Sequence, residues 1–351
     1  MPLVLLVLVT TAYFIIRIAP GGPFSAERKV SPEILENLNA KYGFDRPLWV
    51  QYLRYVGDVV QGDLGLSLKF KDRTVNQIIA TGIGPTVLLG ALATVLALSI
   101  GLVAGVIGAV RQNSAFDYSA MSVATFGMSV PNYVTGPLLV LVFALTWKLV
   151  PVSGYDVGFS TVPLAVVAGL YVVWRIAEWA RVGAGGITWG RESACLWLGL
   201  LALSSAAALT TLATSPKLIL PSVTLALPFA SRIARLMRAG MLEVIGQDYV
   251  RTARAKGLTE TVVVVRHALK GGILPVVSYL GPAIAGILTG SLVVEKIFNI
   301  PGIGREFVEA ALSRDYFLVL GIVILDGALL VSFNLVVDVV YGFLDPRIRY
   351  D

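Results

Sequence analysis

Residues 74–110 contain no charged side chain, and no other feature restricts the fold as strongly. From Thr86 onward the stretch is apolar and long enough to cross the roughly 30 Å hydrocarbon layer of a bilayer as an α-helix. Residues 118–147, 157–174, 193–216 and 271–294 are uncharged in the same way. Residues 1–16 are apolar up to Arg17, and 316–343 are interrupted only by Asp326 and Asp338. Residues 218–231 are too short for a span and contain Pro221 and Pro228. That helix is expected to continue through Arg232 and Arg235, with the basic side chains emerging at an interface. Pro131 is expected to bend the span it sits in, with a neighbour or water satisfying the freed carbonyl.

Eight candidate spans result, and the composition agrees with them. Only 14% of the 351 residues are charged, against roughly 25% in an ordinary soluble protein. A typical soluble enzyme is excluded. Disorder is excluded too, because 56% hydrophobic residues supply ample apolar surface to offset the entropy of ordering. The fold class is all-α, a polytopic membrane helix bundle. The expected organisation is a first transmembrane helix over 1–19 and an external loop with a small helical element over 20–81. Transmembrane helices two and three follow over 82–156, and a further pair over 157–216. The rest, 217–351, holds a polar connector at 241–270 and the last two transmembrane helices. The apolar start shows no small-x-small cleavage pattern after a basic head and reads as a membrane helix.

Lys and Arg excess in short loops marks the cytoplasmic side. With the N-terminus inside, the cytoplasmic segments hold Arg111, then Arg175, Arg181 and Arg191, then the cluster from Arg232 to Lys270, then Arg347 and Arg349. The alternation is self-consistent. In the external stretch 20–81 eight basic residues are balanced by seven acidic ones, and Ser31-Pro32-Glu33 opens a helix with an N-cap serine and an N1 proline.

Between Arg232 and Lys270 eight basic residues meet only Glu243, Asp248 and Glu260, too polar a stretch for membrane core. A break at Gly246-Gln247 precedes Asp248, which is expected to cap a short helix 249–256, and Gly257 sits where a C-terminal glycine stops it. Leu258-Thr259-Glu260 starts a second helix that reaches Pro275. The result is a helix-turn-helix elbow with a knob near 253–257 open to another protein. On charge alone the stretch also reads as a connector that holds orientation and touches anionic headgroups.

The order of residues here resembles the peptide-type permeases of ATP-binding-cassette importers, the binding-protein-dependent family that handles dipeptides, oligopeptides and nickel. The residues that carry the resemblance are Asp248-Tyr249-Val250-Arg251-Thr252-Ala253-Arg254-Ala255-Lys256-Gly257-Leu258, His267-Ala268 and Pro275. Further stretches are similar to the same family: Arg17-Ile18-Ala19-Pro20-Gly21-Gly22-Pro23, Arg46-Pro47-Leu48-Trp49, Gly62-Asp63-Leu64-Gly65, Val152-Ser153-Gly154 and Leu344-Asp345-Pro346-Arg347. Together they cover about 1–160 and 217–351.

The resemblance implies a six-helix permease core in a prokaryotic cell (inner) membrane, with both termini cytoplasmic. It implies that Asp248, Tyr249, Arg251, Thr252, Ala253, Arg254, Ala255, Lys256, Gly257, Leu258 and His267 form a coupling loop that docks on an ATPase. The implied partners are a second homologous permease, two cytoplasmic ATPase subunits or domains holding ATP and Mg, an extracellular solute-binding protein and membrane lipid, with no nucleic acid. Two departures mark the peptide branch: Arg-Thr-Ala replaces the broader Glu-Ala-Ala pattern, and the stretch from Gly257 to Pro275 is longer than in sugar-type permeases. Residues 163–214 depart from the core as an inserted pair of helices. Physically, Gly257 permits a tight turn, Ala253 and Ala255 let the docking helix approach closely, and a rigid second arm can transmit a rotation.

The remaining features are plainer. Asp326 and Asp338 are candidates for a proton relay in a secondary transporter, the alternative function. Gly101-x-x-x-Gly105 and Gly286-x-x-x-Gly290 allow close helix packing. Gly302-x-Gly304 lacks a strand, a third glycine and a Walker lysine and is read as an external turn. The chain's single cysteine, Cys195, and single histidine, His267, supply neither an internal disulfide nor a multi-histidine metal site. No catalytic, cofactor-binding or metal-binding residue is expected here. The cargo is left open among dipeptides, oligopeptides, nickel complexes and oligosaccharides.

Overall fold

The computed structural model describes residues 2–18, 43–70, 72–155 and 210–344, together with Ser205 and Ala208. In chain order the helices are α1, Pro2–Ile18, α2, Leu48–Val60, α3, Val75–Val110, α4, Ala115–Ser129, and α5, Asn132–Leu139, which continues into a π-helical turn, Val140–Thr146. After a 3₁₀ turn at Pro216–Leu218 come α6, Ile219–Ile245, α7, Asp248–Ala255, and α8, Glu260–Val262. A second π-helical turn, Val263–Ala268, leads to α9, Leu269–Gly272. Then follow α10, Leu274–Ile297, α11, Ile303–Ser313, and α12, Tyr316–Leu344. No strand forms among the described residues; an isolated bridge joins Leu66 and Thr74.

Among the described residues four helices are long and apolar enough to cross a membrane: α3, α6 with its leading turn, α10 and α12. α1 is a shorter apolar helix, and α4 with α5 and its extension passes the same test as a pair. These are the segments of an all-α polytopic bundle. Of the inserted pair expected at 157–216, residues 157–204, 206, 207 and 209 lie outside the described residues, as do Ser31-Pro32-Glu33, Arg175, Arg181, Arg191, Cys195, Arg347 and Arg349.

The span expected over 118–147 is corrected in form. It is two helices bent by 111° rather than one helix with a kink. Proline disfavours the helical region for the residue before it, and Val130 is extended at φ −93°, ψ 121°. Pro131 then stands at the N-cap of α5, where its missing N–H costs nothing.

The chain forms two compact units, Met1–Thr86 with Ile300–Val331, and Val87–Asn299 with Ser332–Asp351. In the first, α2 lies against α1 and the start of α12 through a core of Val9, Tyr13, Tyr55 and Leu320, with Tyr52, Val56 and Val59 packed around it. Arg17 at the end of α1 is enclosed by the rings of Phe44, Tyr13 and Tyr316, its guanidinium 4.7, 5.0 and 5.3 Å from their centroids. The turn after α2 is held by the buried Asp315. One carboxylate oxygen accepts from Leu318 N at 3.2 Å and caps α12. The other takes the Ser67 hydroxyl and the amides of Leu68 and Lys69 at 3.0 and 3.3 Å.

In the second unit α6 is the helix the others pack on. α3 runs in the same direction as α6, because a methyl on Gly101 would meet Ile233 and one on Gly105 would meet Met237. The Gly101-x-x-x-Gly105 spacing therefore marks a real close packing. α4 and α5 run against α6 along its length. Asp117 pairs with Arg238, Gly127 abuts Ser231, Gly136 lies near Thr224 and Gly154 reaches Lys217. Despite the bend, the pair therefore traverses the full helix. α10 also runs against α6, with Gly272 and Pro275 beside Gly240 at one end and Gly286 beside Phe229 further along.

Candidate functional site

α6 ends at Ile245, and Gly246 takes the C-cap position, so the elbow begins where the sequence breaks it. Its first arm is α7. Gln247, not Asp248, occupies the N-cap, and no side chain caps the helix. The expected capping by Asp248 is corrected: it is the first helical residue, its carboxylate 3.6 Å from Arg251 Nη1. Negative charge in the first turn still opposes the exposed amides of the helix start. The arm ends as expected, with Gly257 at φ +75° and its N–H donating to Arg254 O at 2.9 Å.

The second arm differs from a single rigid helix. It is α8, a π-helical turn and α9, with a break at Ile273 before α10. The break has a local cause. Pro275 lacks an N–H and its ring crowds the carbonyl four residues back, at Gly271. The widened turn falls on the β-branched run from Thr261 to Val265, which is a poor α-helix former.

The two arms share a small core of Val250, Ala253 and Val263, with Val244 packed against it. Ala253 is only 4% exposed. The expectation that it lies at the docking surface is corrected, because the helix turns this side inward to bury it on the second arm. The exposed side carries Asp248, Tyr249, Arg251, Thr252, Arg254, Ala255, Lys256, Gly257 and Leu258. His267 is half-buried on the π-helical turn. Arg254 clasps Glu260 across the turn at 2.7 and 3.1 Å, and these hydrogen bonds hold the Glu260 carboxyl below the usual carboxylate range. Burial pushes the Tyr249 phenol up.

The base of the elbow is fixed to α6 by glycine against glycine. A side chain on Gly240 would strike the Gly272 carbonyl oxygen, and one on Gly272 would lie 2.6 Å from Met241 Sδ. One turn away, Asp117 is almost wholly buried and takes Arg238 in a two-point ion pair at 2.6 and 2.7 Å. The Asn113 amide donates to the same carboxylate at 3.0 Å. Sequence reasoning missed this pair. The available signal was the i, i+3, i+6 recurrence of Arg232, Arg235 and Arg238 on an apolar helix, which asks for partners inside the bundle.

A multi-pass helical chain whose connector projects a two-armed, basic knob is a membrane permease in class. Residues 97–350 match the family described as the binding-protein-dependent transport system inner membrane component, and the chain belongs to that family. It is similar over 346 residues to the oligopeptide transport system permease protein OppB of Salmonella typhimurium, at 41% identity covering 99% of this chain and 95% of the relative. OppB of Escherichia coli is 39% identical over the same shares of both chains. The dipeptide transport system permease protein DppB of Bacillus subtilis is 36% identical over 98% of this chain and 94% of its own. The proton-relay alternative on Asp326 and Asp338 finds no support in these relatives.

Proposed function

We propose that this chain is one half of the translocation pathway of an ATP-driven importer of peptides, and that the elbow of α7 to α9 couples it to an ATPase. The observation that carries the reading is the elbow's construction: an exposed cationic knob on a small private core, with a base locked onto α6 through Gly240 and Gly272. A push on such a knob moves α6 and the start of α10 together, which is how a nucleotide-driven closure would flip access from one side to the other. The relatives' names support the cargo class.

In this reading Asp248, Tyr249, Arg251, Thr252, Arg254, Ala255, Lys256, Gly257 and Leu258 touch the ATPase, and Ala253 holds the knob in shape. His267 lies on the arm behind it. ATP and Mg belong to two cytoplasmic ATPase subunits or domains, and this chain carries no catalytic group of its own. A second, homologous permease completes the pathway, and an external solute-binding protein delivers the peptide. The N- and C-termini are cytoplasmic.

Crosslinking tests the coupling role. With Cys195 replaced by Ser, a cysteine in place of Lys256 should crosslink to the ATPase in the assembled transporter, with a yield that changes on adding ATP. Lys256→Glu should lower peptide-stimulated ATP hydrolysis while the subunits still co-purify. No crosslink at any nucleotide state, together with normal coupling in Lys256→Glu, would overturn the assignment.

A further inference from the structure

Among the described residues, the neighbours of α6 leave one stripe of it uncovered. α3 covers it through Gly101 and Gly105, α4 through Asp117 and Gly127, α5 through Gly136, and α10 through the contact of Gly286 with Phe229. The open stripe carries Arg232 and Ala239, both exposed, and Arg235 and Leu236, both half-buried. Arg232 has its guanidinium 5.4 Å from the Tyr279 ring centroid on α10, beside the exposed Ser278. Arg235 donates from Nη2 to Met128 Sδ at 3.0 Å, on α4. Two cations thus form the floor of a cleft with α4 on one side and α10 on the other.

Neither cation meets a carboxylate among the described residues, whereas Arg238, one turn on, is taken by Asp117. An aromatic face and a thioether orient a guanidinium without neutralising it, and most of its five N–H donors stay unspent. Position makes this costly. Arg232 lies six residues before Arg238, about 9 Å along the helix axis, and Arg238 meets Asp117 beside the turn that joins α3 to α4. A charged group one to two helical turns on the Ile219 side of that turn is unfavourable against acyl chains. It is stabilised by a water-filled cavity or by a counter-charge brought from outside the chain. A pair of planar donor forks set side by side is suited to a carboxylate.

We propose that Arg232 and Arg235 line the translocation pathway and form a transient station for the carboxylate of the cargo, with Tyr279 and Met128 holding the two guanidinium groups in place. The proposal rests on the peptide-importer reading and assigns the pathway face of this subunit to the cleft between α4 and α10.

The test uses the complete transporter with its binding protein in proteoliposomes, and trialanine and its C-terminal amide as probes. In a Cys195→Ser background, Arg232→Cys and Arg235→Cys should each react with a membrane-impermeant methanethiosulfonate, and trialanine should slow that reaction. Replacing both arginines with Met should lower trialanine uptake about tenfold, the effect of losing one charge-assisted hydrogen bond, with far less loss for the amide. Replacing both with Lys should restore part of the trialanine uptake. Reaction that trialanine leaves unchanged marks contact with lipid phosphate, and absence of reaction marks a sealed subunit interface. Either result overturns the proposal. Absence of peptide uptake by the unaltered transporter would instead reject the peptide-importer reading.

Discussion

At the residue scale, glycines on one helix differ in what a methyl group would meet. On Gly105 it would lie 2.5 Å from Met237 Cβ and 2.6 Å from the Ala234 carbonyl oxygen, whereas on Gly84 it would meet nothing within 4 Å. A carbonyl oxygen in a helix has little room to yield, so α3 and α6 must separate. Gly105→Ala is therefore expected to destabilise the protein by about 1–3 kcal/mol, the usual penalty for overpacking. Gly84→Ala should be neutral or slightly stabilising, since alanine is the better helix former. Thermal unfolding of the two purified variants checks the contrast, and equal midpoints would remove the claim that Gly101 and Gly105 set the helix separation. The spacing of these glycines was legible in the sequence because it is local to one helix. Their partner was not, because α6 lies more than a hundred residues away and small-x-x-x-small spacing names no recipient.

At the element scale, the elbow shows which backbone rules survive without tertiary knowledge. The break at Gly246-Gln247 and the stop at Gly257 follow from local conformational cost, and both stand where expected. The inward face of Ala253 depends on Val263 in the other arm and could not be read from α7 alone. Gly257 gives a sharp test, because its φ of +75° is strained for other residues while nothing lies within 4 Å of an added Cβ. Gly257→Ala should cost about 1 kcal/mol from the left-handed backbone alone, and Gly257→Asn less. Hydrogen exchange of residues 254–262 is the measurement, with faster exchange expected for the alanine variant. The Arg254–Glu260 clasp fixes the pH window. A carboxyl lowered by its partner contributes above its unfolded value, about 4.3, and loses that contribution only as pH falls through the lower folded one. The exchange contrast should therefore hold unchanged from about pH 5 to 8, where Glu260 stays ionised in both states.

At the scale of the whole molecule, charge-free runs coincide with the long apolar helices among the described residues, and the contacts along α6 give their directions within the second unit. α3 runs with α6, while α4 with α5, and α10, run against it. That alternation is what a chain crossing back and forth requires, and it holds through the 111° bend at Pro131. Hydrophobic periodicity could not anticipate so large a bend, because the uncharged run continues unbroken through Pro131 while the extended Val130 before it turns the backbone. Relative direction leaves one binary choice, which side the elbow faces, and the excess of basic residues in the short loops makes the cytoplasm the expected side. Gln61 and Lys256 are both exposed; Gln61 lies in the stretch expected outside and Lys256 in the elbow expected inside. In a Cys195→Ser background, Gln61→Cys should react with an impermeant maleimide in sealed right-side-out vesicles while Lys256→Cys stays unlabelled, and inverted vesicles should exchange the two results. Labelling of both from one side would break the alternation itself. The opposite pair of results would keep the alternation but turn the elbow away from any cytoplasmic ATPase, and the coupling role would fall with it.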